Sequence, residues 1–361
     1  MFRLVLCGIM VVGGVLLSQR WALAQEQAPI PATKPANGLG DENPLAEKYP
    51  GDVGIERDPA VLFTDNFEAG TIEDLSRKWQ AVGKDAGKVL AFSEDVPDSA
   101  AGHRSIEVTG TLGQNSGGYL YTNFRGVDRA FVRFYTKFAP DHGYEHHFVE
   151  LGGYQPAPPW PNPRAGSRPA GNERMLVFID PVGVYGKYPP PGVWQLYTYW
   201  SEMKISADRH YWGNCLAPAE PQQIPRGKWQ CVELMVQMNS APDRRDGELA
   251  LWVDGKLAMH VRQGIRRGPW SGMGFDVLKD GGEPFEGLLL RNDERLKINH
   301  LWLEHYVDAG AQRQNRVQSP NPVNRVWFDD VVVSTRYVGP IQGSKPAGGQ
   351  PNPRPVSASG R

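Results

Sequence analysis

The sequence predicts an all-β protein, a sandwich of two antiparallel sheets, and three observations lead to this fold class. Forty-one glycines and 31 prolines among 361 residues require many turns and argue against a bundle of helices. Runs in which apolar and polar residues alternate recur along the chain, whereas helical periodicity is weak. Hydrophobic residues make up 40% of the chain, which is enough to fill a core between two sheets. Short alternating strands separated by turns are typical of such a sandwich.

The alternation is clearest at 130–138, where one face of the strand is apolar and the other carries Arg133, Tyr135 and Lys137. Asp254-Gly255 lies between two further strands and predicts a hairpin with a type I′ turn. A single short helix is expected at 72–79. The remaining strands are expected at 146–151, 175–179, 194–204, 229–239, 248–253, 256–261, 298–307 and 326–337.

The first 24 residues have the pattern of a secretory signal peptide. Arg3 precedes an apolar run of about 14 residues, which is shorter than the roughly 20 needed to span a bilayer. Ala22-Leu23-Ala24 supplies the small residues of a cleavage site. We therefore expect a secreted or periplasmic protein with no stable membrane insertion, and an uncleaved anchor is the alternative.

Composition divides the rest of the chain into three parts. Residues 25–57 are rich in proline, alanine, glycine and charge, which predicts a flexible segment that serves as a tether or as an extended wrap. Residues 58–338 form the predicted sandwich domain, and the proline-rich stretch 155–170 inside it is expected to be a long surface loop. The tail 339–361 resembles the first segment in composition and is expected to be disordered.

Charge and cysteine content narrow the possible functions. Lysine and arginine total 39 against 40 aspartate and glutamate, which excludes a broadly basic nucleic-acid binder. Cys7 lies in the signal peptide, so Cys215 and Cys231 remain as an even pair in an exported protein and predict one disulfide. Two thiols without further ligands at a recognisable spacing do not indicate a zinc site.

Four stretches together resemble one protein family: LFTDNFEAG at 62–70, GKWQCVELMVQMN at 227–239, GELALWVDGKLAMHV at 247–261 and VWFDDVVVSTRYVGP at 326–340. In this order they resemble the concanavalin-like jelly-roll polysaccharide lyases, especially the secreted alginate and glucuronan lyases. The resemblance covers about residues 60–340. It implies a jelly-roll β-sandwich of the concanavalin A-like lectin and glucanase type, in which the first and last strands are neighbours.

The resemblance also implies a ligand and a reaction. The ligand is an acidic, uronate-containing polysaccharide, which is cleaved by β-elimination. The Glu-x-Asp-x-x-Glu pattern of related glycosidases is absent from every expected strand, which disfavours hydrolysis by paired carboxyl groups. Related jelly rolls hold a structural Ca²⁺, and the matching positions are Glu68 and Asp330. An empty pair of edge carboxylates is the alternative, and no organic cofactor is expected.

Elimination requires a base, an acid and a group that neutralises the uronate carboxylate. We expect these groups on the polar faces of strands that line one concave surface; the alternative is that some of these strands belong to the other sheet and face water. The catalytic candidates are Tyr135, His146, Tyr197 and Tyr199, although His146 also suits a structural role at a strand end. The substrate-binding candidates are Arg133, Lys137, Gln195, Glu233, Gln237, His300 and Trp302.

Two other functions remain open at this point. The same groove suits a non-catalytic carbohydrate-binding protein, because one fold supports lectins, lyases and hydrolases. A structural envelope protein without a glycan ligand is the second alternative. For each of these functions we expect a monomer.

Overall fold

Two large β-sheets enclose the hydrophobic core in a computed structural model of the chain. The structure describes residue 39 and residues 43–83, 88–271 and 273–343. In chain order the strands are β1 (Val61–Asp65), β2 (Ala81–Val82), β3 (Leu90–Ser93), β4 (Ser105–Thr111), β5 (Gly117–Val127), β6 (Arg129–Phe138), β7 (His147–Tyr154), β8 (Arg174–Val182), β9 (Val193–Tyr199), β10 (Asn214–Ala217), β11 (Gln230–Gln237), β12 (Glu248–Val253), β13 (Lys256–Val261), β14 (Arg266–Arg267), β15 (Gly274–Asp276), β16 (Glu283–Pro284), β17 (Ile298–Tyr306) and β18 (Val323–Ser334).

Sheet one has the strand order β13-β12-β11-β6-β18-β4-β3, and β1 also pairs with β18. Sheet two has the order β15-β10-β9-β8-β7-β17-β5-β2, and β14 and β16 form a separate small pair. The pairs inside the two large sheets are antiparallel, apart from the parallel pair of β10 and β15. The prediction of an all-β, two-sheet antiparallel sandwich is therefore confirmed.

Aromatic residues from both sheets meet in the core. The ring of Phe148 in β7 lies 5.1 Å from that of Phe328 in β18 and 6.3 Å from that of Phe134 in β6. The ring of Trp194 in β9 also packs against that of Phe148, at 5.9 Å. Inward-facing side chains that interdigitate in this way hold two sheets face to face at about 10 Å.

Several local predictions agree with the structure. Asp254 and Gly255 have φ angles of 50° and 73°, as a type I′ turn between β12 and β13 requires. β1 pairs with β18, so the first and last strands are neighbours as the resemblance implied. The expected helix at 72–79 is shorter than predicted, since a 3₁₀-helix covers only Glu73–Arg77. The one α-helix among the described residues, α1, spans Ala309–Gln314.

Part of the segment predicted to be flexible is ordered. Three 3₁₀-helices occupy Leu45–Glu47, Pro50–Asp52 and Ile55–Arg57. The Leu45 amide donates to the Tyr337 carbonyl at 3.1 Å, and the Gly51 amide donates to the Gln342 carbonyl at 2.8 Å. Buried apolar side chains anchor both segments, so residues 43–57 fit an extended wrap better than a flexible tether, and residues 339–343 pack against the sandwich.

The predicted signal peptide at 1–24, about half of the segment 25–57 and the predicted tail after 343 lie outside the described residues. Among the residues that the structure describes, no helix is long and apolar enough to cross a bilayer.

Candidate functional site

The outer surface of sheet two, here called the sheet-two face, carries aromatic, histidine and carboxyl side chains in cross-strand rows. Tyr121, Trp302, Glu150, Phe178 and Tyr197 lie opposite one another across β5, β17, β7, β8 and β9. Because side chains alternate along a strand, the neighbouring apolar residues of the same strands point into the core. Sugar rings stack on aromatic surfaces and use their hydroxyls for hydrogen bonds, so the accessible part of such a face suits a glycan. In this row Tyr197 is half-buried and the other four side chains are buried.

The proline-rich loop covers one end of the sheet-two face. The Pro158 carbonyl accepts from Asn123 Nδ2 at 2.8 Å, and the Asn162 amide donates to Tyr154 Oη at 3.1 Å. Arg174 of β8 donates through Nε to the Pro163 carbonyl at 3.1 Å. The accessible part of the face is therefore its other end, near the start of β7 and the end of β17.

A fully buried acid–histidine pair lies at the covered end. Glu150 Oε1 is 2.5 Å from His300 Nε2, and neither side chain is exposed. The His300 ring lies beside Tyr154 at 4.7 Å and Tyr121 at 5.5 Å. Burial raises the pKa of both tyrosines, and the Glu150 carboxylate adds to this effect. The predicted substrate residue His300 is thus on the expected face but out of contact with solvent.

A second pair, His147 and Asp180, lies at the accessible end. Asp180 Oδ2 is 3.0 Å from His147 Nδ1, and Oδ1 accepts from the Phe148 amide at 2.9 Å. Because a carboxylate oxygen only accepts, Nδ1 carries the hydrogen and Nε2 keeps its lone pair. The His147 side chain is 23% exposed, whereas that of Asp180 is 4% exposed. This is the arrangement of a general base that a buried carboxylate orients.

Aromatic rings surround His147. The Tyr197 ring lies 5.1 Å from it, and that of Phe178 lies 5.0 Å away. Tyr306 lies at 6.2 Å and also packs against His146 at 4.6 Å. Burial raises the pKa of Tyr306, so its phenol holds its proton near neutral pH.

The predicted catalytic residue His146 lies beside His147 and pairs with Asp308, at 2.9 Å between Nδ1 and Oδ2. Burial lowers the pKa of His146, and repulsion from His147 lowers it further. The predicted residues Tyr197, Tyr199, Gln195 and Trp302 are also on the sheet-two face, although Tyr199 is only 2% exposed.

Glu304 of β17 carries a carboxyl group whose environment on the sheet-two face is largely buried. It follows Trp302 along β17, and its Oε2 is buried without a hydrogen-bond partner. Burial raises its pKa well above the usual range, and the carboxylates of Glu150 and Asp180 contribute to the increase. The raised pKa favours the protonated form of Glu304, which can donate a hydrogen bond.

The predicted residues Arg133 and Tyr135 lie on the other sheet, so their proposed place in the groove is wrong. Both are in β6 of sheet one, where residues 52 and 341 cover them. Arg133 is completely buried and pairs with Asp52. Tyr135 Oη accepts from the Ile341 amide at 2.9 Å. Alternation fixed which residues share a strand face, but it carried no information about the sheet to which the strand belongs.

The same correction applies to three predicted substrate residues of sheet one. Lys137 of β6 pairs with Asp95. Glu233 of β11 is buried and accepts from the amides of residues 338 and 339 at 2.8 Å each. Gln237 ends β11, where it lies opposite residue 129 of β6. None of the three faces the side chains of sheet two.

The predicted disulfide is also wrong, because both thiols are free. Cys215 lies opposite Tyr197 in sheet two, whereas Cys231 lies opposite Tyr135 in sheet one. The two side chains are on the outer faces of sheets that pack about 10 Å apart, beyond the reach of an S–S bond. Burial raises the pKa of Cys215 to about 11.

The predicted calcium ligands Glu68 and Asp330 line the same cavity, which has a volume of about 470 Å³. Glu68 Oε1 accepts from two backbone amides at 2.7 Å, whereas Asp330 Oδ2 and Asp52 Oδ1 are buried without a partner. Burial raises the pKa of Asp330, although Arg133 opposes the shift. Carboxylate oxygens with free lone pairs fit a hard cation, and the Ca²⁺ site remains a prediction.

Sequence reasoning missed His147 as a site residue because of an irregularity in β7. Simple alternation places His147 on the same face as Val149 and Leu151. In the structure the consecutive residues Phe148 and Val149 are both core residues, and the register between β7 and β17 shifts at this point. The two adjacent histidines were the available signal in the sequence, but the face of the sheet to which His147 points depends on this register shift.

Among known proteins, the chain is similar in structure to several solved structures. No family model and no curated protein matches the chain. The alginate lyase vAL-1 from Chlorella virus is 12% identical with a TM-score of 0.48, and the match covers 77% of this chain and 100% of that one. The alginate lyase from Aplysia kurodai is 11% identical with a TM-score of 0.48 and coverages of 76% and 97%. The endo-β-1,4-glucuronan lyase from the fungus Trichoderma reesei is 15% identical with a TM-score of 0.42 and coverages of 73% and 95%.

Proposed function

We propose that this is an exported polysaccharide lyase that cleaves a uronate-containing glycan by β-elimination at the accessible end of the sheet-two face. One observation carries the proposal: His147, oriented by Asp180 at 3.0 Å, lies among Tyr197 and Tyr306 on a partly exposed aromatic surface. The signal-peptide pattern of residues 1–24 supports export.

Each chemical role has a candidate on this face. His147 Nε2 takes the proton from C5 of the uronate, and Asp180 stabilises the imidazolium that forms. The protonated phenol of Tyr306 donates to the leaving oxygen. The protonated carboxyl group of Glu304 donates a hydrogen bond to the uronate carboxylate and so lowers the cost of the enolate-like intermediate. Tyr197, which is half-buried, provides a ring surface for the sugar.

The test is a panel of uronate polymers, including alginate and glucuronan, with products followed by the ultraviolet absorbance of the new C4–C5 double bond. The proposal expects unsaturated ends on at least one polymer. New reducing ends without unsaturation indicate hydrolysis. Binding without product supports the carbohydrate-binding alternative, and neither binding nor product supports a structural protein. Each of these three outcomes contradicts the lyase.

We also propose that Glu68 and Asp330 hold a structural Ca²⁺ in the cavity of sheet one. The unpartnered oxygens of Asp330 and Asp52 support this proposal. Ca²⁺ added to protein treated with the calcium chelator EGTA should raise the melting temperature of the wild type but not that of Glu68→Gln. An equal response of the two proteins contradicts the site.

A further inference from the structure

Three buried side chains form a cluster that the proposed reaction does not use. His142 and Glu145 lie in the connection between β6 and β7, and His305 lies in β17. All three side chains are completely buried. One ligand atom from each lies within 4.8 Å of the other two. The cluster is next to the candidate site in sequence, because His146 and His147 follow Glu145 directly.

The contacts converge on one oxygen. Glu145 Oε1 is 2.8 Å from His142 Nε2 and 2.8 Å from His305 Nδ1. The other nitrogen of each ring faces a backbone carbonyl of β18. His142 Nδ1 is 3.0 Å from the Arg325 oxygen, and His305 Nε2 is 3.1 Å from the Asn324 oxygen.

These contacts fix where the ring hydrogens lie. A carbonyl oxygen only accepts, so His142 Nδ1 and His305 Nε2 carry the hydrogens of the neutral rings. In the neutral rings, the nitrogens that face Glu145 therefore direct lone pairs at a carboxylate oxygen. These three atoms repel one another unless protons or a metal cation lie between them. A histidine that binds a metal through one nitrogen commonly donates its other N–H to a backbone carbonyl, which is the arrangement of both rings here.

Glu145 Oε2 supplies an independent observation, because it is buried and has no hydrogen-bond partner. Protons shared between Oε1 and the two rings would relieve the contacts at Oε1 and still leave Oε2 without a hydrogen bond, which is unfavourable for a buried oxygen. A cation bound by both carboxylate oxygens satisfies Oε2 as well.

We propose that His142, Glu145 and His305 bind a divalent transition metal, with Zn²⁺ as the ion that suits these donors best. Two imidazole nitrogens and a bidentate carboxylate provide four donor atoms of the types that zinc accepts. The 2.8 Å contacts need to open by about half an ångström for donors roughly 2.1 Å from a tetrahedral ion.

The site is closed, so its role is structural. No member of the cluster reaches solvent, whereas a catalytic zinc keeps one position for water or substrate. The metal would join the connection before β7 to β17 and, through the two carbonyls, to β18 of the other sheet. Side chains already brace this connection: Asn324 Oδ1 accepts from the Gly143 amide at 2.7 Å, and Gln312 Nε2 donates to the Tyr144 carbonyl at 2.6 Å.

The test is the metal content of the purified full chain, measured by mass spectrometry of the elements, for the wild type, His142→Gln, His305→Gln and a control. His260→Gln is the matched control, since His260 of β13 also contacts a carboxylate at 2.8 Å but lies on the surface of sheet one. We expect about one zinc per chain in the wild type and the control, and a loss of at least about tenfold in the other two variants, because each removes a ligand.

A second measurement uses the wild type alone and does not depend on how well the variants fold. Protein stripped with a transition-metal chelator and loaded with Co²⁺ should show the intense visible absorption of four-coordinate cobalt, and Zn²⁺ should abolish it. Zn²⁺ should also raise the melting temperature of stripped protein, as a ligand of the folded state does. Stripped protein that takes up neither ion and keeps its melting temperature contradicts the site and identifies a proton-sharing network instead.

Discussion

Replacing Asp180 with asparagine tests the proposed base without removing any atom of His147. Asp180 accepts two hydrogen bonds, one from His147 Nδ1 and one from the Phe148 amide. An asparagine side chain has one accepting oxygen and one donating nitrogen. If its oxygen stays with the Phe148 amide, its NH₂ group faces His147 Nδ1. That nitrogen must then accept, so the ring hydrogen moves to Nε2 and the lone pair no longer faces the substrate.

The expected loss of turnover follows from the role that is removed. A positioned general base contributes about 10²–10⁴ in rate, so Asp180→Asn should lose a factor in this range. At about 1.36 kcal/mol per tenfold, this corresponds to about 2.7–5.4 kcal/mol in the activation free energy. The loss of folding free energy should be smaller, about 1–2 kcal/mol, because the variant weakens hydrogen bonds without leaving a charge unpaired.

The assay combines the initial rate of unsaturated product on the best polymer of the panel with ¹⁵N NMR of the histidine rings. The NMR spectrum should show the hydrogen of His147 on Nδ1 in the wild type and on Nε2 in Asp180→Asn. Glu248→Gln is the matched control, because Glu248 holds His260 at 2.8 Å on sheet one. The turnover of Glu248→Gln should equal that of the wild type. Full turnover in Asp180→Asn, or a ring hydrogen that stays on His147 Nδ1, contradicts the proposal that Asp180 orients His147 as the base.

Three further predictions concern cysteine chemistry and stability. Thiol labelling of unfolded, non-reduced protein should modify both Cys215 and Cys231. If neither cysteine is labelled, the two form a disulfide after all. Asp52→Ala should lower the free energy of unfolding in urea by about 3 kcal/mol, because it removes the carboxylate that pairs with the buried guanidinium of Arg133; a change near zero contradicts this. Burial raises the pKa of Glu304, so its contribution to stability is complete below the unfolded-state pKa near about 4.3 and decreases as the pH rises through the folded-state value. Glu304→Gln should therefore gain stability relative to the wild type as the pH rises above about 4.3 in urea titrations, and a difference that does not vary with pH contradicts the raised pKa.

The sequence predicted the fold class and most of the strands because the alternation of apolar and polar residues is a local property. β6, β11 and the β12–β13 hairpin were all predicted from their own residues. The sheet to which each strand belongs is not a local property. β6 pairs with β11 and β18, both of them distant in sequence, so the groove that included Arg133 and Tyr135 mixed residues of two sheets.

The candidate site was predicted in part for the same reason. Gln195, Tyr197 and Trp302 lie together on the sheet-two face, on the strand faces that alternation predicted. Their role in binding a glycan remains a prediction. His147 was missed because the register shift between β7 and β17 places its side chain on the face opposite to the one that simple alternation predicts. Asp180 gave no signal in the sequence, since it is opposite Gln195 only after β8 and β9 have paired.

The most direct test of the account compares His147→Gln with His260→Gln for the rate at which unsaturated ends form on a confirmed uronate polymer. Both histidines contact a carboxylate and have similar side-chain exposures, 23% for His147 and 20% for His260, but only His147 is on the sheet-two face. We predict that His147→Gln forms unsaturated ends about 10²–10⁴-fold more slowly and keeps its glycan binding, whereas His260→Gln retains the full rate. Equal rates for the two variants would contradict the placement of the active site on this face.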